Sequence, residues 1–153
     1  MNKIKKTSIG ITSLLMGLVL IRFAISKLAG WDISVAAFIE MAQPLGIDPT
    51  LFRLTTGVQI ALLCLSYLAT AIYSPFEHKT FLANRLNFKR LSLFANLFGF
   101  VTMSGALLAE FFLRVEPKWL LVYIASGIII FSSLNIGLII NKESILKLKS
   151  ISL

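Results

Sequence analysis

Arg22, Lys27, Arg53, Thr55, Gln59 and Glu110 stand inside or at the edges of otherwise apolar runs, and they define the chemistry this chain could do. A lysine and a glutamate facing each other would form an ion pair, and an arginine would hold an anion. An amide beside a hydroxyl would hydrogen-bond a polar ligand such as a quinone. The rest of the inventory narrows the field. Cys64 is the only cysteine, so no intrachain disulfide or CxxC redox pair can form. His78 is the only histidine, which excludes a bis-histidine haem and a cysteine-histidine zinc cluster. Glycine-rich phosphate loops, paired catalytic carboxylates on one helix and nucleophile-base pairs are missing. No catalytic residue and no metal site is therefore expected, and an enzyme is the less favoured class.

The elements that must position these residues follow from composition. Of 153 residues, 57% are hydrophobic and 14% charged, with a mean hydropathy of +0.85. Such a chain belongs in a bilayer. Crossing a hydrocarbon core takes roughly 20 apolar residues, and four such segments can be cut: 8–28, 51–74, 91–113 and 119–140. The expected fold is an all-α bundle of four transmembrane helices filling a single domain over 1–153, with no room for a soluble one. MNKIKK before the first segment imitates a signal peptide, but Arg22 and Lys27 occupy the place of a small-residue cleavage site. The first helix is expected to be retained.

Charge partition predicts the orientation. The N-terminus, the loop between the second and third segments and the tail together hold ten basic against two acidic residues, a net charge of +8. The opposite side carries Arg22, Lys27, Arg53, Arg114 and Lys118 against Asp32, Glu40, Asp48, Glu110 and Glu116, netting zero. Both termini are thus expected in the cytoplasm of a multi-pass cell-membrane protein. The pI of 9.9 then reflects topology and attraction to anionic lipid, and nucleic acid is not an expected partner.

Helical periodicity assigns the faces, because membrane helices pack through small and polar residues. Gly10, Ser13, Gly17 and Ala24 share one face of the first helix, with Lys27 near its outer end and Arg22 turned away as an interfacial anchor. In the second, Thr55, Thr56, Gln59, Ser66 and Thr70 form a polar stripe, with Cys64 off it as a packing residue. Gln59 lies about 16 Å below Asp48, where an unpaired amide would be unfavourable. Either a neighbouring helix or a ligand would answer it. The third helix turns Ser92, Ala95, Asn96, Gly99, Thr102, Ala106 and Glu110 to one side. In the fourth, Ser126, Ser133 and Gly137 form the small-residue stripe, and Asn135 stands opposite as a potential oligomer contact.

Residues 34–43 predict a short amphipathic helix with Val35, Phe38, Ile39 and Ala42 on its apolar face, ended by Pro44 and Gly46. It is expected over the outer mouth of the bundle or in the head-group layer. The segment PFEHKTFLANRLNFKR mixes aromatic and basic residues as an interfacial loop does. Helical rise places Lys27 and Glu110 at one level, which predicts a Lys27–Glu110 salt bridge, direct or through water, beneath Phe38. Arg53 is the competing partner for Glu110.

A first helix ending in SKL, then a tryptophan, AAFIEMAQPLGI and LFRLTTGVQIALLCLSYL resembles the DoxX-like family of four-helix membrane proteins. The likeness covers the first half well and the second by helix count and length. Members are associated with quinone-linked sulfur oxidation in one lineage and receptor assembly in another. Lys27 matches a family position, whereas Ala24 replaces a frequent glycine and Gln59 a frequent acid. An amide does not titrate, so a proton-coupled role does not transfer.

Three functions stay open. The first is a non-catalytic membrane subunit or assembly factor packed against a membrane protein partner or a second copy, with lipid or another hydrophobic ligand in the bundle. The second is the membrane subunit of a quinone-linked oxidoreductase, with quinone as cofactor near Gln59 and Thr55. The third is a small-molecule or lipid transporter.

Overall fold

The structure, a computed structural model, describes residues 3–76 and 87–140. Among them the chain is helical with no strand: α1 (Lys3–Leu28), α2 (Asp32–Ala42), a short 3-10 turn (Gln43–Leu45), α3 (Pro49–Phe76), α4 (Phe88–Phe112) and α5 (Trp119–Ile139). His78, most of the basic loop and the C-terminal lysines lie outside the described residues. α1, α3, α4 and α5 are long and apolar enough to cross a membrane, and α2 is the expected short helix between the first two spans.

Local chemistry sets the boundaries. Asp48 Oδ1 accepts the Leu51 N–H at 2.6 Å ahead of Pro49, and Asn87 caps α4 by accepting the Lys89 N–H at 3.0 Å. α1 stops where Gly30 turns left-handed at φ 70° and the Trp31 N–H returns to the Ser26 carbonyl at 3.1 Å. Gly46, at φ 64°, does the same after the 3-10 turn. α2 is therefore bracketed by two glycine turns that a side chain would strain.

α1 runs along α3 and α4 along α5, while α3 joins the pairs through α4. The core is built from Met16, Leu20, Leu63, Tyr67, Met103 and Ile128, with small Ala24, Ala95 and Ala125 letting backbones approach. Leu18, Leu62, Val101 and Leu134 point outward, a disposition suited to hydrocarbon. The closest fit is at Gly99, where any Cβ would overlap the Tyr67 hydroxyl.

The faces of α1 and α4 agree with the sequence pattern: Gly10, Ser13, Gly17, Ala24, Ser92, Ala95, Asn96, Gly99, Thr102 and Glu110 are all buried, and Arg22 is exposed. Ala106 alone departs, lying exposed. α5 is turned the other way. Its buried row is Val122, Ala125, Ile128, Ser132, Asn135 and Ile139, whereas Ser133 and Gly137 face outward. Burying the Asn135 amide outweighs burying small residues, since an amide in lipid lacks partners and a serine can bond its own helix. Ser133 does so, donating to the Ile129 carbonyl at 2.8 Å. In α2 the expected Phe38 and Ala42 are inward together with Ser34, Ala37 and Met41, Val35 is half-buried and Ile39 is outward.

Candidate functional site

The end of the bundle beneath α2 gathers most of the charged residues singled out above. The last turn of α1 presents Lys27, and the first turns of α3 present Arg53. An Arg53 Nη1 donates to the Lys27 carbonyl, satisfying a backbone acceptor that the helix end leaves open. A Cβ on Gly30 would come within 3.2 Å of the same guanidinium. Lys27 Nζ sits 5.7 Å from the ring centroids of both Phe23 and Phe38. Phe38 in turn meets Phe52 edge-on, with centroids 5.0 Å apart, which seats α2 on α3.

The direct form of the expected Lys27–Glu110 salt bridge is not made. Glu110, only 4% exposed, accepts from Arg114 Nη1 at 2.9 Å and from the Lys118 N–H at 2.7 Å through Oε1. Arg114 follows Glu110 by four residues where α4 ends, so its planar fork reaches the carboxylate without distortion. Lys27 feels Glu110 electrostatically but rests against aromatic rings. Arg53 does not take Glu110 either, being occupied by the α1 carbonyl.

Arg114 continues outward. Its Nη2 lies 3.2 Å from Glu40 Oε2, and the Val115 N–H donates to Glu40 Oε1 at 2.9 Å. One guanidinium thus ties α2 to the end of α4. The Val115 N–H, with Arg114 beside it, holds the Glu40 carboxyl below the usual carboxylate range. Next to this contact lies a cavity of about 350 Å³ lined by Glu40, Arg114, Val115, Glu116, Pro117 and Lys118.

Gln59 lies about 9 Å along α3 from Arg53. Although exposed, it donates from Nε2 to Thr102 Oγ1 on α4 at 3.2 Å, the helix-to-helix bond that its depth demands. Thr55 is exposed, and its hydroxyl bonds the Leu51 and Phe52 carbonyls of its own helix. It is not an interior residue: the buried row of α3 runs through Ile60, Leu63, Cys64, Tyr67 and Thr70. Cys64 packs there and donates to the Gly17 carbonyl at 3.2 Å.

A second polar layer lies deeper. Asn135 Nδ2 donates to Asn96 Oδ1 at 3.0 Å and to Thr12 Oγ1 at 2.9 Å, joining α5 to α4 and α1. Tyr67 and Ser132 share a hydrogen bond of 2.8 Å between α3 and α5. Arg114, Glu40 and Asn135 were not among the candidate interior residues. The spacing of Glu110 and Arg114 signals the first, and the depth argument used for Gln59 would have found Asn135. No three His, Cys, Asp or Glu residues converge on a metal-binding geometry among the described residues.

No family model, curated protein or solved structure matches the chain.

Proposed function

We propose that this is a non-catalytic membrane subunit or assembly factor, in the manner of the DoxX-like proteins its first half resembles, whose bundle packs against a partner helix or a second copy. The observation that carries this reading is that the polar side chains Asn135, Tyr67 and Gln59 reach across to neighbouring helices, while the buried Ser13 and Ser92 hydroxyls are left without a partner. Asn135 is taken by Asn96 and Thr12, Tyr67 by Ser132, and Gln59 donates to Thr102. These bonds hold four helices in one arrangement and leave the outer faces for lipid and protein. On α5, Gly127, Ser133 and Gly137 present little bulk, and no atom stands within 4 Å of a Cβ added at either glycine. Small residues of this kind let a neighbouring helix approach closely.

The charge asymmetry supports a cell-membrane orientation with both termini cytoplasmic. Lys3, Lys5, Lys6, Lys89 and Arg90 gather at the end where Ile9, Tyr73, Phe88 and Ile139 pack, opposite α2.

A photo-crosslinking residue at Ser133 tests the packing role in intact membranes. It should give a discrete adduct with another helix, whereas one at Leu18 should label lipid alone. Lipid adducts alone at both positions would refute partner packing through this face. Stoichiometric quinone in an organic extract of the purified protein would replace the reading with a quinone-linked subunit.

A further inference from the structure

We propose that the cavity between α2 and the α4–α5 turn is a head-group site for a phosphate that carries an amine, with Glu40 acting as a built-in substitute for the phosphate. The inference goes beyond the packing role and does not depend on a partner helix.

Glu40 occupies a place made by donors it does not exhaust. The Val115 N–H and Arg114 Nη2 are both directed to its carboxylate. Arg114 Nη1 is fixed on Glu110, so the guanidinium cannot turn to follow another acceptor. Its Nε has no hydrogen-bond partner, although the side chain is only 5% exposed and lines the cavity. A buried guanidinium N–H without an acceptor is unfavourable and calls for a group that supplies one. A carboxylate has two oxygens, here given to Val115 and Nη2. A tetrahedral phosphate has a further oxygen and can meet Val115, Nη2 and Nε together.

The surrounding charges choose among phosphates. Lys118 lines the cavity and favours an anion, while Glu116 and a displaced Glu40 would repel a phosphate that brought no positive charge. Glu110 stands behind, its Oε1 already accepting from Arg114 and the Lys118 N–H. A phosphate joined to an ammonium satisfies both signs at once. The volume of about 350 Å³ lies near the lower end of the range of roughly 300–1,000 Å³ for small-molecule pockets. Exposed Phe111, Phe112, Trp119 and Tyr123 flank the turn, and such aromatics mark head-group depth.

Taking the place of Glu40 would release the contact that ties α2 to the end of α4. The helix lies between the left-handed glycines Gly30 and Gly46, and Lys27 sits beneath its Phe38. Head-group binding and loosening of α2 are therefore the same event.

Native mass spectrometry of the full chain, released from nanodiscs of equimolar phosphatidylethanolamine, phosphatidylcholine and phosphatidylglycerol, tests the site. Phosphatidylethanolamine should be retained on the order of tenfold over the other two, because choline cannot donate hydrogen bonds and glycerol carries no charge. Glu40→Gln removes the competing carboxylate and should raise retention, a gain that unfolding cannot produce. Arg114→Lys should abolish the preference. Adding free phosphoethanolamine separates the sources: displacement of the lipid assigns the site to the soluble compound, and resistance assigns it to the membrane lipid, the shared chemistry holding in both. Equal retention of the three lipids, or weaker retention in Glu40→Gln, would overturn the proposal.

Discussion

Asn135 shows how a single buried amide decides the rotation of a helix. Its side chain is 2% exposed and reaches both Asn96 and Thr12, so α5 can turn only a little before two neighbours lose a partner. Periodicity of small residues favoured the opposite face, because serine and glycine satisfy the packing rule without any need to be buried. The same polar-burial argument that places Gln59 against α4 applies to Asn135 with greater force. Asn135→Leu should therefore lower stability by about 1–2 kcal/mol, read as a lower melting temperature in detergent, because it leaves the buried Asn96 Oδ1 without its donor and unties Thr12 from α5. Ser133→Ala on the outward face should stay within about 0.5 kcal/mol of the parent. Equal losses from both substitutions would mean that α5 is not held by this amide.

At the scale of elements, α2 is the part of the fold whose existence was legible and whose attachment was not. The recurrence of apolar residues and the Pro44 to Gly46 stop signal a short helix between spans. The attachment depends on Arg114, whose spacing of four residues points to Glu110 and says nothing of Glu40. Its pairing with Glu40 spans the chain from α2 to the α4–α5 turn, a distance that sequence spacing does not encode. The direct Lys27–Glu110 pair is not made for a related reason, since equal depth does not tell a lysine on another helix from an arginine four residues along the chain. The Glu40 contact makes α2 acid-sensitive in a definite direction. Its carboxyl titrates below its ordinary value, so the contact is fully present above the unfolded carboxyl pKa and is lost as pH falls through the lower folded value. In a Trp119→Phe background, the fluorescence of Trp31 at the start of α2 should hold constant from neutral pH into the mid-acid range and change below it. Glu40→Gln should show the loosened signal already at neutral pH. Arg114, Lys118, Glu110 and Glu116 surround the contact in both proteins, so an acid response that persists unchanged in Glu40→Gln would show that Glu40 is not its source.

For the whole molecule, the distribution of charge along the bundle axis gives the number of spans and the orientation a common physical basis. The four spans were legible because a bilayer demands long apolar runs, and their boundaries shifted only by the few polar residues that continue helices into the head groups. Lys3, Lys5 and Lys6 extend α1 in this way, and Lys89 and Arg90 begin α4. These five cations lie at one end, where Ser74 Oγ donates to the Lys6 carbonyl at 2.9 Å. At the other end, Arg114 bridges Glu40 and Glu110 in a compact network. Moving the first end across a membrane would mean transferring ten basic residues against two acidic ones, whereas the second end carries five of each. Single cysteines introduced after Cys64→Ala test the result. Asp32→Cys and Lys118→Cys should react with an impermeant thiol reagent in intact cells, and Arg85→Cys should react only after the cells are opened. The inverse pattern would reverse the orientation, and reaction of Asp32→Cys without Lys118→Cys would break the four-span arrangement that brings Glu40 and Arg114 to the same side.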